Sequence, residues 1–134
     1  MVASDSEAYD RRVAKALDAL SVCVQQVRTA IDGLKAGSRD NVDAAIWHAS
    51  AQAEYALFLI GLNLGDRNIS DGFPKRHQAK LSEDLASGLQ RVIDAITKTM
   101  EQIRSDITVD VYEDLLKATS VLISIQEKNV RYNR

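Results

Sequence analysis

Seven apolar residues, Val13, Leu17, Leu20, Val24, Val27, Ile31 and Leu34, follow one another at steps of 4, 3, 4, 3, 4 and 3. That rhythm holds them on one side of an α-helix, whereas a strand would scatter them over both faces. The first quarter of the chain is therefore predicted to be one long amphipathic helix, over about 5–36, with Ser4 and Glu7 at capping-box spacing. Tyr9, Ala16, Cys23 and Ala30 recur every seven residues beside that seam. They widen it beyond a two-stranded zipper, to the apolar face a helix turns toward a multi-helix core. Cys23 thus reads as a core residue.

The rest of the chain supplies three more segments of the same kind. Gly33 and Gly37 weaken the end of the first helix, and Ser38 is placed as an N-cap for a second, over about 39–64, with Gly65 as its stop. Val42, Ile46, Ala49, Ala53, Ala56 and Ile60 form its stripe, and Ala45, Ala49, Ala53 and Gly61 form a small-residue row open to close approach. So short a link makes the two helices an antiparallel hairpin. Gly65 to Phe73 is rich in Gly, Asp, Asn and Ser and reads as a loop, ending at a Pro74 suited to a first helical turn. A third helix over about 74–105 carries Leu81, Leu85, Leu89, Val92, Ile96, Met100 and Ile103. Asp106 or Thr108 can cap a fourth over about 108–130, striped by Val111, Leu115, Ala118, Leu122 and Ile125. With no Gly or Pro at that boundary, a single continuous helix is the competing reading. The predicted fold is all-α: one domain over 1–134, an up-down-up-down antiparallel four-helix bundle.

Composition limits what such a bundle can be. Its apolar fraction of 46% is enough for a core and too much for disorder. One cysteine allows neither an internal disulfide nor a CxxC site. No apolar signal-like run follows the first residues, and the longest apolar-rich segment, Tyr55 to Leu64, is about half the roughly 20 residues a bilayer requires. The expectation is a soluble, cytoplasmic protein with no membrane partner. Seventeen Lys and Arg against 19 Asp and Glu, net −2, with few aromatics near the bases, argue against a nucleic-acid partner.

The catalytic arrangements that helical bundles host are not met. A di-iron centre needs Glu three residues before His, and Ala45 and Pro74 stand there before His48 and His77. Holding magnesium for nucleotide hydrolysis calls for a Glu-x-x-Glu pair, and the chain contains none. A phosphoryl-carrying histidine wants a lysine three residues on, where His48 has Ala51. Cys23 has no histidine at helical spacing to activate it. No catalytic, metal or cofactor-binding residue is predicted, and no cofactor.

Two surfaces remain. From Tyr55 onward the second helix is apolar all round, and Trp47, Tyr55, Phe58, Leu59 and Leu62 lie off its main stripe. An aromatic cluster on a face the intrachain core does not need is how interfaces look, so these five are the expected interface, with a homodimer as the first partner and another protein as the second. The other surface is the basic end that an up-down bundle would assemble. There Lys75, Arg76 and His77, in the first turn of the third helix, would meet Arg11, Arg12 and Arg131 near a helix N-terminus suited to an anion. The leading expectation is a non-enzymatic association protein. The alternative is a phosphate-ester binding module, or a divergent enzyme, using that basic end.

Overall fold

The first helix runs without a break for about ten turns. The computed structural model describes residues 2–65 and 84–132, with side chains over 7–65 and 84–128. These residues form four α-helices: α1 (Val2–Ala36), α2 (Arg39–Leu64), α3 (Leu85–Ser105) and α4 (Val109–Tyr132).

The α1–α2 link is a Schellman turn. Gly37 takes φ +75°, where a Cβ would be strained, and donates to the carbonyl of Leu34 at 3.3 Å, while Ser38 N–H donates to that of Gly33 at 2.9 Å. Ser38 stands at the start of α2, but its hydroxyl makes no cap bond. Its backbone, at φ −97° and ψ 82°, is bent by the turn it closes, away from the extended conformation that aims an N-cap side chain at the next turn. Asp84 shows the contrast. Its extended backbone, φ −65° and ψ 161°, lets Oδ1 accept from Ser87 N–H at 2.7 Å, and those hydrogen bonds hold its carboxyl below the ordinary carboxylate range.

That cap sets the start of α3 at Leu85, later than the predicted Pro74, because the extended backbone of Asp84 separates the helix from whatever precedes it. Residues 74–83, Leu81 among them, lie outside the described residues. The boundary between α3 and α4 is a true break. Asp106 ends α3 with an extended backbone, and Thr108 Oγ1 accepts from Val111 N–H at 3.2 Å to open α4. Ile107 between them is buried, as is Tyr112 one turn on, in the positions of a hydrophobic staple.

Each helix packs against two others. α1 touches α2 and α3, and α4 touches α2 and α3, while among the described residues α1 and α4 make no contact, nor do α2 and α3. The order around the bundle is therefore α1, α2, α4, α3, and the chain passes between diagonal helices on going from α2 to α3. The α1–α2 contact is the most extensive, as the alanine row predicts: Ala45, Ala49 and Ala53 are buried, and a Cβ on Gly33 would stand 2.9 Å from Val42 Cγ2. Leu20, Val27, Ile46, Ile60, Leu89, Ile96, Leu115 and Leu122 fill the centre. Buried Thr99, Thr119 and Ser120 return their hydroxyls to carbonyls four residues back, at 2.8–2.9 Å. Ser50 Oγ, buried on α2, has no partner.

Candidate association surface on the second helix

Between Ala44 and Gly65 the chain carries a single charge, Glu54. At 100° per residue the buried positions of α2, from Val42 through Ile46, Ala49, Ala53 and Ile60 to Leu64, cover the side facing α1 and α4. The opposite side is made of Trp47, Ala51, Tyr55, Phe58 and Leu62, at steps of 4, 4, 3 and 4. That is a second helical seam, running for about four turns. Trp47 is 64% exposed, Phe58 60%, Leu62 47% and Tyr55 45%, and among the described residues every exposed large apolar side chain belongs to this row.

Four of the five predicted interface residues thus lie together in solvent. The fifth does not: Leu59 is buried in the core. It shares a row with Asn63 one turn on, and Asn63 faces α1, donating from Nδ2 to the carbonyl of Tyr9 at 3.2 Å and accepting from Arg12 Nε. A position on that row is covered by α1. Ala51, which completes the exposed seam, escaped sequence reasoning because an alanine carries little apolar signal.

The basic cluster fares differently. Lys75, Arg76 and His77 lie outside the described residues, as does the side chain of Arg131. Arg11 is exposed, and Arg12 is partly buried and tied to Asn63. The described residues therefore bring together none of the predicted anion-binding set beyond these two neighbours in sequence.

Among the described residues, open grooves flank the helices. One of about 450 Å³ lies between the end of α1 and the start of α2, bordered by Gln26, Thr29, Asp32, Asn41 and the exposed His48. A smaller one, about 230 Å³, lies between α1 and α3, where Arg28 and Arg104 stand with Glu101. Among the described residues no three His, Cys, Asp or Glu side chains group to hold a metal ion. Cys23 is fully buried, and loss of water pushes its thiol up to about 12, so the thiolate that nucleophilic chemistry needs does not form. No described helix is long and apolar enough to cross a membrane. The chain matches no protein-family model, no curated protein and no solved structure.

Proposed function

We propose that this chain is a non-enzymatic, cytoplasmic helical bundle that works through protein association, forming a homodimer by the outer face of α2. The observation that carries this reading is the gathering of Trp47, Tyr55, Phe58 and Leu62 in solvent on one seam. Scattered apolar side chains on a surface need no explanation, but a continuous row of large ones does. Its composition is that of an interface centre, with aromatics enriched and charges depleted. A twofold dimer is the commonest way for a soluble protein to cover such a patch.

Light scattering at two protein concentrations, in low and in high salt, tests the proposal. The expected result is a dimer mass at both concentrations, indifferent to salt because the contact is apolar rather than ionic. Phe58→Asp should return the mass to that of a monomer with the circular dichroism unchanged, since Phe58 takes no part in the intrachain core. A wild-type chain that stays monomeric throughout would overturn the reading.

A further inference from the structure

We draw no further inference here: the strongest candidate, the exposed apolar seam of Trp47, Tyr55, Phe58 and Leu62 along α2, is the association surface already described, and nothing in the structure shows what covers it or in which register.

Discussion

A thiol without water keeps its proton, and at Cys23 that has consequences for reactivity and for stability. Burial pushes its pKa from 9.0 to about 12 because the thiolate would lie among apolar side chains. The native protein should therefore resist a thiol-specific alkylating reagent at pH 8 and react fully in denaturant, and a native reaction at the rate of a free thiol would mean that the first helix opens. The pH dependence follows from linkage. The unfolded chain releases this proton near pH 9 and the folded chain only near 12, so the Cys23 contribution is fully present below pH 9 and is lost as pH rises from about 9 to about 12. Denaturant midpoints across that window measure it. That Cys23 lies in the core was legible from its seven-residue recurrence with Tyr9, Ala16 and Ala30. Leu59 was misread because a leucine between Phe58 and Ile60 is apolar whichever way it points, and only the position of α1 separates it from its neighbour.

For the elements, the helix ends show which local signals carry weight. Thr108 does what its residue type suggests, and Ser38 does not, because the Schellman turn at Gly37 takes up the backbone that a side-chain cap would use. At the start of α3 the cap is Asp84, which sequence reasoning passed over because it stands inside an apolar stripe that runs on from Leu81 to Leu85. Gly33 is an element-level constraint of another kind. Gly33 stands in the last turn of α1, and within a helix an alanine in place of glycine ordinarily stabilises by up to about 1 kcal/mol. Here its Cβ would stand 2.9 Å from Val42 Cγ2, and a β-branched side chain in a helix has no second rotamer to retreat to. Gly33→Ala should therefore destabilise the protein by about 1–2 kcal/mol. In a Val42→Ala background the same change should become neutral or stabilising, as urea denaturation of the double-mutant cycle would show. Stabilisation by Gly33→Ala alone would mean that α1 and α2 do not approach so closely.

On the scale of the whole molecule, the two sides of α2 differ, one buried and one in solvent, and neighbouring residues separate them. Ile60 is fully buried and Phe58 is exposed. Ile60→Ala should cost about 2–5 kcal/mol of unfolding free energy through lost burial and the cavity left behind. Phe58→Ala should cost within about 0.5 kcal/mol of monomer stability, measured by denaturation at concentrations where the chain is dissociated. A large loss at Phe58 would place it in the core and remove the association surface. The basic end depends on the path of the chain between α2 and α3, and the described residues leave only Arg11 and Arg12 of it in view, with Arg12 bound to Asn63.

The sequence by itself determined that the chain is helical and amphipathic, where the first hairpin turns, and that α2 is apolar on more sides than one helix pair can cover. These are properties of spacing along a single helix, and period and turn chemistry carry them without reference to any neighbour. Only the tertiary structure decided the order α1, α2, α4, α3 around the bundle, the burial of Leu59, and which residues of α2 remain in water. All four stripes are made of the same few aliphatic side chains, so patterning tells a helix that it must be covered without telling it by which other helix, and exposure is set by where the neighbours end.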